Sequence, residues 1–199
     1  MLLSRIRLVI LATLTLAAAA AARAAEQESE TPPRVDPPTY FDKGSFALSV
    51  TGGYYGDVES PHLKLNPYTV AASYYVLDTF ALGVELSGYA LDNKEGFDDT
   101  GAGVANLTLR HHFFERGEFS VFGEVALGLF YADDKFPPGG THFNFTEQFG
   151  AGMTYRLRED VFLMGGARYM HVSNAYRHGR DENPGVNAVG GYIGVLFIF

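Results

Sequence analysis

The stretch His142–Arg156, HFNFTEQFGAGMTYR, alternates apolar and polar residues along most of its length. Phenylalanine, alanine, methionine and tyrosine fall on odd positions, whereas asparagine, threonine, glutamine and arginine fall on even ones. Successive side chains of a β-strand point to opposite faces, so this period of two predicts a strand with one apolar and one polar face. The stretch is also long enough to cross a lipid bilayer as a tilted strand.

Similar alternation recurs along the chain, and turn residues separate the segments. The further segments span about 45–54, 68–76, 80–87, 103–113, 119–129, 161–173 and 188–199. Short connections at 77–79, 115–118 and 158–160 alternate with long ones at about 55–64, 92–101, 131–141 and 174–187. This arrangement predicts an all-β fold, an eight-stranded antiparallel transmembrane β-barrel of the bacterial outer membrane.

The last segment supports the same fold. Ile193, Val195 and Phe197 share one face of the predicted strand, and the chain ends on Phe199. A terminal phenylalanine after such alternation resembles the C-terminal signature of outer-membrane proteins. A soluble β-barrel or sandwich is also built from alternating strands, but it explains neither the polar interior nor the terminal phenylalanine.

The beginning of the chain predicts export. Residues 1–24 have the arginines, the apolar run and the small-residue cleavage site of a signal peptide. The proline-rich residues 25–40 predict a periplasmic linker, and 41–199 the barrel. The formal charge of −8, which cleavage would make more negative, argues against a nucleic-acid partner. The sequence contains no cysteine, so disulfides and thiol chemistry are excluded.

The seventh segment holds the candidate site. His171 and Ser173 are two residues apart and therefore share a face of the strand. Arg168 occupies the other face. A charge costs about 2–4 kcal/mol on the lipid side near mid-membrane and much less in a polar lumen. We therefore expect Arg168 to point into the barrel, and His171 and Ser173 to point outward near its outer end.

A carboxylate is expected beside His171. If the turn between the sixth and seventh segments is centred near Glu159, Glu147 lies opposite His171. Glu147 interrupts the apolar positions Phe143, Phe145 and Phe149, so it is also a polar residue on the apolar face. An outward carboxylate next to a histidine is what orients an imidazole as a general base.

These residue types favour acyl transfer. His171 would take the proton of Ser173, whose oxygen would attack an ester carbonyl, while a carboxylate holds the imidazole tautomer. Backbone N–H groups after Ser173, or the Asn174 amide, would stabilise the oxyanion. The other interpretation of the pair is a histidine and a serine at the end of a strand, in the interfacial zone of the membrane.

The segments His171–Ala175 (HVSNA) and Asn183–Asn187 (NPGVN) resemble the signature of PagL-type lipid A 3-O-deacylases, often named acyloxyacyl hydrolases. The resemblance implies an outer-membrane barrel that carries a serine esterase site on its outer wall, without metal or cofactor. The substrate would be lipid A of lipopolysaccharide in the outer leaflet, and the 3-O-linked acyl chain would be removed. It assigns His171 as the base, Ser173 as the nucleophile, and Asn174 and Ala175 to the oxyanion or substrate site.

One position departs from that pattern. The resemblance places the acidic member of the triad early in the last strand, where this chain has Asn187. An asparagine can accept a hydrogen bond from histidine but cannot offset the charge of an imidazolium. Either Asn187 orients His171, or Glu147 supplies the carboxylate, and the predicted outward face of Glu147 favours Glu147. Asp181 and Glu182 in the preceding loop are further candidates.

Other functions fit parts of the pattern. A non-catalytic barrel of the OmpA or OmpW type would tolerate substitution throughout 171–175. A phospholipase shares the chemistry but not the motif, and a palmitoyl transferase would need an acceptor site that the sequence does not reveal. The oligomeric state is left open by the sequence, with a homodimer as one alternative.

Overall fold

The computed structural model describes residues 40–60, 62–93, 100–177, 179 and 183–199. The predicted signal peptide, nearly all of the predicted linker, and the two candidates Asp181 and Glu182 lie outside these residues. The division of the chain into signal peptide, linker and barrel therefore stays a prediction.

Eight antiparallel strands form a closed barrel, in which each strand pairs with the next and the last pairs with the first. The strands are β1 (Phe46–Asp57), β2 (Leu63–Leu77), β3 (Phe80–Asn93), β4 (Thr100–Arg116), β5 (Phe119–Phe136), β6 (Thr141–Arg158), β7 (Val161–Ser173) and β8 (Val186–Ile198). The predicted all-β fold and strand number are confirmed. In the described ranges, no helix has the length and apolar character needed to cross a bilayer.

The two ends of the barrel differ in their connections. Tight turns at 78–79, 117–118 and 159–160 lie at the end where β1 begins and β8 finishes, here named the terminal end. The opposite end, here named the loop end, carries the connections 58–62, 94–99, 137–140 and 174–185. The predicted connections fall between the predicted strands, but 58–62 and 137–140 are shorter than the predicted 55–64 and 131–141.

The long loop predicted at 131–141 is wrong, because β5 and β6 extend into it and leave only 137–140 as the turn. Phe136 is buried inside the barrel, where its ring lies 5.1 Å from that of Phe130. The Asn144 side chain donates to the carbonyl of Phe136 at 3.0 Å. Asp133 and Asp134, which fall within the predicted loop, are exposed residues of β5.

The outer wall is apolar, as expected of a surface in lipid. Leu86, Leu107, Phe149 and Ile193 are each more than half exposed, at 60%, 71%, 58% and 63%. Large apolar side chains left without a protein neighbour on this scale mark a membrane surface in a barrel. The positions between them point inward and fill the lumen.

The centre of the lumen holds a charge-balanced cluster around Arg168. Its guanidinium donates to Glu124 at 2.9 Å, to Glu85 at 3.0 Å and to Gln148 at 3.0 Å. Arg110 bonds the other oxygen of Glu124 at 2.9 Å. Two arginines and two glutamates thus neutralise each other in a site from which water is largely excluded. Apolar clusters fill much of the lumen towards both ends. Smaller buried polar groups accompany them, His112 with Ser120 and Thr154 towards the terminal end and Asn144 towards the loop end.

Replacing Arg168 with methionine should lower the free energy of unfolding by about 3–5 kcal/mol, because Glu85 and Glu124 would keep buried charges without a partner. Urea titration of the barrel in detergent micelles measures this change. Arg158→Met, at an exposed turn next to Asp160, serves as the control and should change stability by less than about 1 kcal/mol. Equal midpoints for the two variants would refute the assigned role of Arg168.

Candidate active site on the outer wall

His171 and Ser173 lie on the outward face of β7, at its loop end. The residues between and beside them, Met170 and Val172, are fully buried in the lumen at 0% exposure. Arg168 points inward at 7% exposure. The predicted faces of β7 are therefore confirmed, and His171 and Ser173 are partly exposed on the wall that faces lipid.

The strand register places polar residues on both sides of His171. Glu147 of β6 is its partner on one side, as the position of the turn predicted. Asn187 of β8 is its partner on the other side. His171 thus has an exposed carboxylate across one ladder and an amide across the other.

The hydrogen bond of His171 goes to Asn187. His171 Nδ1 lies 2.8 Å from Asn187 Oδ1, and the Tyr169 hydroxyl donates to the same oxygen at 2.6 Å. The Asn187 amide nitrogen donates to Glu59 Oε1 at 3.0 Å. The opposite orientation of the amide would point its oxygen at the Glu59 carboxylate, so the contacts themselves select this one.

This network defines the histidine tautomer. An amide oxygen only accepts hydrogen bonds, so the proton of a neutral His171 must be on Nδ1. Nε2 then carries the lone pair, and it is the nitrogen able to take a proton from a nucleophile. The arrangement supplies what a general base needs, an oriented imidazole in the correct tautomer.

Three residues of the network were not predicted from the sequence: Tyr169, Asp57 and Glu59. Asp57 accepts from the Asn187 backbone N–H at 3.3 Å, next to the Glu59 contact. Asp57 and Glu59 come from the end of β1 and the loop after it, and they reach β8 because the barrel closes there. Pairing the first and last predicted strands would have placed Asp57 and Glu59 beside Asn187.

Asn174 is buried behind the site. Its side chain is 1% exposed, and its backbone N–H donates to Asn183 Oδ1 at 2.8 Å. The next residues, Ala175 and Tyr176, have φ angles of 54° and 59°, in the left-handed region that residues other than glycine rarely adopt. The chain therefore turns sharply after Ser173, and the oxyanion role of Asn174 and Ala175 stays a prediction.

Ser173 and His171, the nucleophile and the base predicted from the sequence, are not joined by a hydrogen bond among the described residues. Within the described part of the chain, no hydrogen bond connects the Ser173 hydroxyl to His171, whose Nδ1 is held by Asn187. Catalytic hydrogen bonds are often long without substrate and tighten in its presence.

Residues 63–195 match the family described as lipid A 3-O-deacylase (PagL). The match spans most of the barrel and includes Glu147, His171, Ser173 and Asn187, whereas Asp57 and Glu59 of the network precede it. The chain belongs to this family. No curated protein matches the chain.

Solved structures agree on the fold. The outer membrane enzyme PagL has a TM-score of 0.60 at 15% identity, over 73% of this chain and 97% of that chain. Neisserial surface protein A has a TM-score of 0.58 at 15% identity, over 77% and 95%. OprG of Pseudomonas aeruginosa gives 0.54 at 13%, over 81% and 99%. The protein is an outer-membrane β-barrel.

Gly185 should be sensitive to substitution, because its φ of 71° disfavours any side chain. Gly185→Ala is expected to lower the free energy of unfolding by about 1–2 kcal/mol. Gly88→Ala, on the outer wall with open space around it, is the matched control and should have little effect. Urea midpoints in micelles measure both effects. An unchanged midpoint for Gly185→Ala would contradict the left-handed conformation of the residue that precedes β8.

Proposed function

We propose that this protein hydrolyses the 3-O-linked acyl ester of lipid A in the outer leaflet, with Ser173 as nucleophile and His171 as general base. The family supplies the substrate class and the reaction. The observation that carries the residue assignment is the outward His171–Asn187 hydrogen bond, with Ser173 on the same face. A base oriented by an amide on a wall facing lipid has no evident packing role.

The reaction follows from this geometry. His171 Nε2 takes the proton of the Ser173 hydroxyl as the oxygen forms a bond to the ester carbonyl carbon. The tetrahedral intermediate collapses, the ester C–O bond breaks, and the imidazolium gives the proton to the departing sugar oxygen, which leaves as a hydroxyl. Water then hydrolyses the acyl–Ser173 ester, again with His171 as base, and a fatty acid leaves.

The location suits a lipid substrate. Ser173 is the last residue of β7, at the loop end, where the apolar wall gives way to exposed loop residues. In a lipid A molecule lying against this wall, the acyl chains follow the apolar surface and the ester bonds lie at the boundary with the headgroup. The ester can therefore reach Ser173 without leaving the membrane.

Asn187 is the proposed orienting residue, and Glu147 remains the alternative. Asn187 has the hydrogen bond to His171, whereas Glu147 is paired with His171 by register alone. An amide fixes the tautomer as an acid does, but contributes no charge of its own to stabilise the imidazolium. The two residues consequently differ in the effect expected when each is replaced.

Ser173→Ala should abolish deacylation because it removes the attacking oxygen. The mature protein is expressed in a host of known lipid A, and the lipid A is weighed by mass spectrometry. The wild type should remove one 3-hydroxyacyl chain, and Ser173→Ala none. Ser45→Ala, which removes a hydroxyl near the terminal end, should behave as the wild type. Deacylation by a folded Ser173→Ala barrel would refute the nucleophile, and inactivity of the folded wild type would favour a non-catalytic barrel.

Asn187→Ala should lower kcat by about 100-fold, because His171 loses the contact that selects its tautomer. Glu147→Gln is expected to lower kcat by less than tenfold. Rates are measured on purified lipid A in detergent micelles. A larger fall in kcat for Glu147→Gln than for Asn187→Ala would assign the orienting role to Glu147.

A further inference from the structure

We propose that Glu59 is a positioning residue that supplies the missing negative charge of the triad to His171 through the Asn187 side chain. This inference rests on the proposed function and deepens it. The position expected to hold an acid holds an asparagine, and a carboxylate lies directly behind that asparagine. The negative charge of the expected acid is therefore present on Glu59, one residue further from His171.

The contacts form a continuous chain. His171 Nδ1 bonds Asn187 Oδ1 at 2.8 Å, and Asn187 Nδ2 donates to Glu59 Oε1 at 3.0 Å. Tyr169 donates a second hydrogen bond to Asn187 Oδ1 at 2.6 Å. Asp57 holds the Asn187 backbone N–H at 3.3 Å. Hydrogen bonds thus hold the Oδ1, the Nδ2 and the backbone N–H of Asn187. Its side-chain amide connects the imidazole of His171 to the carboxylate of Glu59.

An amide in this position transmits charge by polarisation. A carboxylate that accepts from the NH₂ group draws positive charge to it and leaves the amide oxygen more negative, so hydrogen bonds in series strengthen one another. The oxygen then holds an imidazolium better than an isolated amide would. Because imidazolium forms as Ser173 attacks, the benefit appears in the transition state.

Other titratable groups on the neighbouring elements must be considered in any titration of His171. Glu147 faces it from β6, and Tyr169 lies on the same side of β7. Asp57 and Glu59 lie at the β1 side, and Arg177 belongs to the loop before β8. His178, Arg180, Asp181 and Glu182 of that loop lie outside the described residues. Among the described carboxylates, Glu59 alone is hydrogen-bonded to the amide side chain that holds His171.

Glu59→Gln tests the charge by itself, because a glutamine oxygen can still accept from Asn187 Nδ2. The pKa of His171 is measured by NMR titration of the histidine-labelled mature protein in micelles, with His171→Gln to assign the signal. Loss of the charge should lower this pKa by about 0.2–0.7, the change that corresponds to the measured strength of exposed charge pairs. The acidic limb of the plot of kcat/KM against pH should move to lower pH by the same amount. At the same time kcat should fall severalfold while KM stays the same.

The double variant Glu59→Gln, Asn187→Asp exchanges the two groups. The carboxylate now contacts His171 directly and the amide introduced at position 59 donates to it, so the pKa of His171 should return to the wild-type value or exceed it. Asp92→Asn removes a carboxylate on β3, across the barrel from β7, and should leave the pKa unchanged.

The titration and the rate measurement separate this proposal from the proposed function. If Glu59→Gln leaves the pKa of His171 at the wild-type value, or if the double variant fails to raise it again, the role of Glu59 is refuted even in an active enzyme. If the wild type does not hydrolyse lipid A, the proposed function fails, and the NMR titration still decides whether Glu59 acts on His171.

Discussion

The arrangement of the whole site depends on one buried charge, the Arg168 guanidinium, which needs partners of opposite charge. Arg168 lies in the lumen between Glu85 and Glu124, and it can be satisfied only there. Because side chains of a strand alternate, fixing Arg168 inward fixes every other residue of β7. His171 and Ser173 are three and five positions further, so they must point outward. The polar cluster inside the barrel thereby determines which chemistry its outer wall can present.

Barrel closure provides the second constraint. β8 pairs with both β7 and β1, so Asn187 contacts His171 on one side and residues at the end of β1 on the other. Glu59 and Asn187 are 128 positions apart in sequence and meet only because the sheet closes. The orienting network of the site is therefore a property of the closed barrel rather than of a local motif.

Much of the fold follows from the sequence because the period of two is strong wherever one face meets lipid. The face of Arg168 and the pairing of Glu147 with His171 follow from a charge cost and a turn position, and the structure confirms both. The connection at 131–141 is predicted wrongly because a strand that extends past the membrane carries polar residues like a loop. Glu59 was missed because no local spacing relates it to His171.

We propose that Ser173 on the outer wall is the nucleophile and that His171 activates it. The most direct test is covalent labelling of the folded protein in micelles with a phosphonate that reacts with activated serines, followed by peptide mass spectrometry. We expect one adduct, on Ser173, in the wild type and a much slower reaction in His171→Ala. Labelling at another serine, or equal rates in the two proteins, would contradict it.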